Sequence, residues 1–179
     1  MIMKKIILLI LLLVSQSSIS GQSYLYGVRH NSGNYYFSKY NITNNTCSDL
    51  QLITSIGGIS SSMSSCTDPF NNVYYLGTGS TILGFNINTG AIVTNFTIPY
   101  PGYCNKIVFN SCDTSIYALQ NYNSVVNLVR FKPSTNSISV IFSQNYPIGF
   151  CGGCNGFINP DNQTYTLDMG SHIIGIDLN

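Results

Sequence analysis

The pattern Tyr-x-[Leu/Val] occurs four times along the chain, at Tyr26-Gly-Val28, Tyr74-Tyr-Leu76, Tyr117-Ala-Leu119 and Tyr165-Thr-Leu167, with intervals of 48, 43 and 48 residues. Self-similarity at a period of this size marks a repeat architecture, in which each unit buries its apolar faces only against its neighbours. A second apolar segment follows each anchor: Tyr40-Asn41 and Phe131-Lys132 after 14 residues, Phe85-Asn86 and Ile176-Asp177 after 11. The three-residue difference reads as a change of hairpin-loop length, with the strands matching and the turns varying. Third segments begin at Ser48, Ala91 and Ser137, and the approaches "SCTDPFNNV", "NSCDTSI" and "NPDNQT" carry the Asp, Asn and Pro of turns. Each unit therefore reads as four strands: approach, Tyr, aromatic and outer. The stretch "ILGFNI" alternates with period two, placing Ile82, Gly84 and Asn86 on one face and Leu83, Phe85 and Ile87 on the other. No segment after residue 20 has a 3.6-residue period, so the expected class is all-β.

The wording of Asn72 to Gly90, "NVYYLGTGSTILGFNINTG", with its Tyr-x-Leu anchor and closing N-x-x-T-G turn, resembles the β-propeller repeats of the NHL, YVTN and quinoprotein-like type. The likeness covers nearly all of residues 21–179 and implies four-stranded antiparallel blades. The absence of Trp speaks against WD40 and kelch blades, although double glycines occur at Gly57-Gly58 and Gly152-Gly153. The first unit begins at its second strand, the middle two are complete, and the fourth stops after its third. That amounts to about three and a half blades, where closed propellers have roughly four to eight. Three readings follow: a small four-bladed variant, two copies completing one another, or, the favoured one, a piece of a longer propeller. Open blade ends invite self-association.

Lys4 and Lys5, the apolar run Ile6 to Val14 and the polar segment "SQSSISG" have the order of a secretory signal peptide, giving a leader at 1–20 and a repeat domain at 21–179. The run is roughly half of the ~20 residues that a membrane-crossing helix needs, and no later segment approaches that length. Secretion fits the six cysteines beyond the leader, Cys47, Cys66, Cys104, Cys112, Cys151 and Cys154, which are disulfide candidates. It also fits the sequons at Asn41, Asn44, Asn95 and Asn162. Positions relative to the anchors suggest the pairs Cys104 with Cys151 and Cys66 with Cys112. With 44% hydrophobic and 7% charged residues, the chain is neither disordered nor equipped with a basic patch for nucleic acid.

Signals for chemistry are sparse. "FCGGCNG", Phe150 to Gly156, lacks both the following helix of a redox pair and the second half of a zinc site, and reads as structural cysteines among turning glycines. All six acidic residues are Asp, so the Glu-containing metal set that the resemblance would imply for a propeller hydrolase is missing. Asp68, Asp113 and Asp161 fall in turns before the Tyr strands, whereas Asp168 and Asp177 follow strands and are the carboxylates a channel-side calcium ion would use. His30 and His172 lie in different units, and the serine run from Ser60 lacks a nucleophile elbow. No catalytic residue, metal site or cofactor is assigned. Thirteen Tyr and nine Phe supply blade packing or a surface for a protein or carbohydrate ligand. The sequence thus describes a secreted, non-enzymatic binding or scaffold module, the alternative being an extracellular propeller-type hydrolase or oxidoreductase completed by missing blades or a partner copy.

Overall fold

A computed structural model describes residues 23–54, 63–99, 102–122, 125–145, 155–168 and 173–179. The leader, Cys151, Cys154 and His172 lie outside them. Among the described residues the chain turns repeatedly on one four-residue design. Before the turn, an Asx oxygen accepts amide hydrogens of the turn itself: Asp68 from Phe70 and Asn71 (2.9 and 3.1 Å), Asn110 from Cys112 (3.0 Å), and Asn159 from Asp161 (3.0 Å). Asn41 receives Thr43 and Asn44, and Asn86 receives Asn88 and Thr89, in the same way. The fourth turn residue is left-handed in each case, Asn72, Thr114 and Gln163 in one set (φ 53°, 55° and 50°) and Asn45 and Gly90 in the other (57° and 79°); so is Asn136 (50°), whose turn follows Lys132 instead of an Asx residue. The side-chain oxygen takes the place of a backbone acceptor, and the positive φ returns the chain antiparallel.

Among the described residues, these turns and two-residue hairpins fold fourteen strands into four separate antiparallel sheets. Blade 1 holds β1 (Tyr24–Asn31), β2 (Asn34–Asn41) and β3 (Thr46–Ile53). Blade 2 holds β4 (Ser64–Asp68), β5 (Val73–Thr78), β6 (Thr81–Asn86) and β7 (Ile92–Thr97). Blade 3 holds β8 (Tyr103–Asn110), β9 (Ser115–Tyr122), β10 (Val125–Lys132) and β11 (Ser137–Asn145). Blade 4 holds β12 (Asn155–Asn159), β13 (Thr164–Asp168) and β14 (Ile173–Asp177). The count of three, four, four and three strands is the one expected from the repeats. First strands meet across blades, β4 against β8 and β8 against β12.

Register corrects two details of the sequence reading. The residues that pair with Tyr40, Phe85, Phe131 and Ile176 are Leu25, Tyr74, Ile116 and Tyr165. Tyr74 and Tyr165 therefore hold equivalent positions, while Tyr26 and Tyr117 sit one residue further on and face the opposite way, because side chains alternate along a strand. The true intervals are 49, 42 and 49 residues. The longer spacing in blades 1 and 3 also comes from strands rather than from a loop. Strands β1, β2, β9 and β10 have eight residues where β5 and β6 have six, and the hairpins of blades 1 and 2 are both two-residue turns, Ser32-Gly33 and Gly79-Ser80.

Each pair of successive blades encloses an apolar layer. Phe37 and Ile53 of blade 1 meet Tyr74, Leu76, Leu83 and Phe85 of blade 2. The other face of blade 2, with Val73, Tyr75 and Ile82, meets Ile116, Ala118, Val129 and Phe131. Blade 3 then presents Tyr117, Leu119 and Leu128 to Tyr165, Leu167 and Ile176. Blades 2 and 3 are thus buried on both faces, so both parities of their strands are apolar. Polar links run across the layers: the Ile107 amide donates to Ser64 Oγ (2.8 Å), the Tyr165 hydroxyl to the Lys106 carbonyl (3.0 Å), and Asn110 Nδ2 to Gln163 Oε1 (2.8 Å).

Candidate functional site

Blade 1 has one face packed on blade 2 and one that, among the described residues, no other blade covers. Alternation along β1 places Leu25, Gly27 and Arg29 on the open face, and pairing brings Tyr40, Ser38 and Tyr36 beside them from β2. Strand β3 adds Cys47, Asp49 and Leu52 opposite Tyr40, Ser38 and Tyr36. Where blade 2 has Leu76 and Leu83 at its middle, this face has Gly27 and Ser38. A Cβ built on Gly27 would meet nothing within 4 Å. The missing side chain leaves a shallow hollow of about 250 Å³, with Leu25, Arg29, Ser38, Tyr40 and Cys47 among its lining residues. Leu25 is 59% exposed.

A polar network closes one side. Arg29 donates from Nε and from Nη2 to the two oxygens of Asp49 (3.1 and 2.7 Å), and Ser38 Oγ donates to Asp49 Oδ1 (2.7 Å). The Arg29 hydrogen bonds, then that of Ser38, hold the Asp49 carboxyl below its ordinary range, and the same partner raises the Arg29 guanidinium. A depressed carboxylate contributes stability that is full above its unfolded pKa of about 3.9 and is lost as pH falls through the lower folded value. Asp49 is therefore expected to titrate below pH ~3.9 in a carboxyl-detected NMR titration and to move up toward that value in Arg29→Met, which leaves the Ser38 hydrogen bond in place. An unshifted titration in the unaltered chain would remove the network from the site.

The other candidate residues separate by environment. Cys66 and Cys104 belong to the layer between blades 2 and 3; burial drives both thiols up, that of Cys104 to about 12. Cys47 and Cys112 are exposed, and Cys47, Cys66 and Cys112 are free thiols in the structure, so a bond from Cys66 to Cys112 is not formed. The partner suggested for Cys104, Cys151, is outside the described residues, as is Cys154. The turn aspartates play unequal parts: Asp68 is a buried cap, while Asp113 caps Ser115 and accepts the Tyr117 hydroxyl (2.9 Å). Asp161 offers only its amide to Asn159. The recurring caps are Asp68, Asn110 and Asn159; attention to Asp alone picks out the first and misses the two asparagines. Asp177 caps Asn179, and His30 lies against the Tyr35 ring at 4.6 Å. Among the described residues no three His, Cys or Asp side chains converge, and no helix is long and apolar enough to cross a membrane. Of the sequon asparagines, Asn44, Asn95 and Asn162 are exposed, whereas Asn41 is 7% exposed with its oxygen engaged as a turn cap.

No family model matches the chain, and no curated protein does. Among solved structures it is similar to a protein from Lactobacillus plantarum (TM-score 0.62, 16% identity, 89% of this chain and 50% of that one). It is similar also to an uncharacterized protein from Listeria monocytogenes (TM-score 0.55, 15% identity, 88% of this chain and 51% of that one). A third is TolB from Acinetobacter baumannii (TM-score 0.53, 12% identity, 88% of this chain and 39% of that one). The chain spans about half, or less, of the length of these structures, and at such identities the likeness is one of fold. Together with the four successive sheets and the apolar layers between them, it makes the chain a β-propeller-like repeat protein of open arrangement.

Proposed function

We propose that the chain is a secreted, non-enzymatic binding or scaffold module, with the open face of blade 1 as the surface on which a protein or carbohydrate ligand docks. The observation that carries this reading is the hollow at Gly27, flanked by an exposed Leu25 and by Tyr40 and rimmed by the Arg29–Asp49 pair. An apolar recess with a few oriented polar groups at its edge is what recognition of a ligand side chain or sugar face requires. Asp49, Asp68, Asp113 and Asp177 meanwhile hold turns or an ion pair, which suits a scaffold. The leader at 1–20 and the exposed sequons support secretion. Disulfides involving Cys151 and Cys154 belong to the same reading.

The test is secretion of the full chain, tagged at its C-terminus, from a eukaryotic host, followed by probing of glycan and extracellular-protein arrays. The mature product is expected to begin near Gly21 and to carry glycans at Asn44, Asn95 and Asn162 but not at Asn41, read as mass loss on enzymatic deglycosylation with peptide mapping. Binding at this face, whether of an array ligand or of a second copy of the chain, is expected to fall at least tenfold in Leu25→Arg while the chain stays folded. Retention of the uncleaved chain in the cell, or binding of every kind unchanged in Leu25→Arg, would overturn the proposal.

A further inference from the structure

Resting on the reading of blade 1's open face as a docking surface, we infer that its occupant is the open face of blade 4 of a second copy, so that two chains close head to tail into one ring. The repeat supplies an internal control for this. Leu25 occupies the position of Tyr74, Ile116 and Tyr165 in the other blades, which are 7%, 0% and 0% exposed because a blade lies against them; Leu25 is apolar too, yet 59% exposed. At the opposite end, register places Ile173 where blades 2 and 3 have Ile82 and Leu128. Those two are both 0% exposed, whereas Ile173 is 75% exposed and Phe157, two strands away on the same face, 53%. Among the described residues, each of these two faces thus carries exposed apolar side chains at layer positions with no blade against them, on blade 4 beside the polar Thr164, Thr166 and Asp177.

The two faces also differ in the way a mating pair must. Blade 1 offers the hollow over Gly27, and blade 4 offers protruding Ile173 and Phe157 beside Thr166 and Gly175. Two copies present eight sheets, within the roughly four to eight blades of closed propellers. The chain covers 50% and 51% of the two bacterial structures reported above, so two copies supply the length of one.

Area selects a closed ring over an open contact. Strands of five residues at ~3.3 Å and three strands at ~4.8 Å give blade 4 a face on the order of 300 Å² once its relief is included. One contact then buries about 600 Å² over both partners, in the range of crystal contacts, whereas a ring makes two and reaches about 1,200 Å², the lower bound for stable specific interfaces. Closure by two-fold symmetry also prevents the open filament that a head-to-tail contact otherwise builds.

The experiment is light scattering on the full chain secreted from a eukaryotic host, unaltered and as Leu25→Arg and Ile173→Glu, with thermal unfolding to confirm that each variant is folded. The unaltered chain is expected to be a dimer at micromolar concentration and each variant a monomer, their dissociation constants raised at least a hundredfold. An equimolar mixture of the two variants should recover a dimer, because one of its interfaces is unaltered and the other sets Arg against Glu. A monomeric unaltered chain overturns the ring. So does a dimeric Ile173→Glu, which would mean blade 1 meeting blade 1, and so does a polymer of undefined size. If the unaltered chain is monomeric but Leu25→Arg still abolishes array binding, the ring falls and the docking surface stands. If Leu25→Arg changes neither, both fall.

Discussion

Phe85→Ala is expected to destabilise the fold by about 3–5 kcal/mol, the usual range for emptying a fully buried aromatic site. Phe85 is 0% exposed and stacks on Phe37 with ring centroids 4.7 Å apart and planes at 19°; Phe37 in turn lies 5.2 Å from Tyr74. These rings are the layer that holds blade 1 to blade 2, and among the described residues no other blade of the same chain packs on blade 1. Since small domains are stable by only about 5–15 kcal/mol, the truncation consumes a large part of the total. The repeat again provides the control. Tyr40 holds the same position in blade 1 but lies on its open face, so Tyr40→Ala in the monomeric Leu25→Arg background is expected to cost less than about 1 kcal/mol. Urea unfolding followed by far-ultraviolet circular dichroism measures both. Similar costs at the two positions would mean that blade 1 is not held through the Phe37–Phe85 layer.

The same burial explains which parts of the fold were legible in the sequence. The turn chemistry of "DPFNN", "NPDNQ" and "NINTG" marked the strand ends, and from these the strand count in every blade follows. Strand parity was harder. Blades 2 and 3 are apolar on both faces, so Tyr74 and Tyr75 are both buried, at 7% and 3% exposure, and alternation could not tell which of them matched Tyr26. A spacing measured from the turn caps Asn41 and Asn86 back to their partners, Tyr24 and Val73, would have fixed it. The candidate site was hidden for another reason: Arg29 and Ser38 lie 20 and 11 residues from Asp49, and only the pairing of three strands brings them together. What the sequence did carry of the site was the expectation of bare blade ends, without the identity of the residues on them.

Gly90→Ala is the second substitution expected to be severe, at about 2–4 kcal/mol, because two independent costs meet at one residue. The first is conformational. Gly90 is the left-handed fourth residue of its turn, with φ 79°, where an L side chain crowds its own backbone. The second is steric: a Cβ there would lie 2.7 Å from Leu50 Cβ and 3.1 Å from the Leu50 carbonyl oxygen, both on the last strand of blade 1. A second variant separates the two. Asn tolerates the left-handed region, and Asn45 and Asn136 adopt it at the equivalent turns of blades 1 and 3, with φ 57° and 50°. Gly90→Asn therefore relieves most of the first cost and retains the second. If it recovers less than half of the loss measured for Gly90→Ala, the close approach of blade 1 is what requires glycine. If it recovers nearly all, Leu50 yields easily and the turn alone sets the requirement. In the first case the two substitutions should also loosen the blade 1 layer, seen as faster amide exchange in β1 to β3 than in β8 to β11. A turn-only requirement would leave that ratio unchanged, since the turn lies wholly within blade 2.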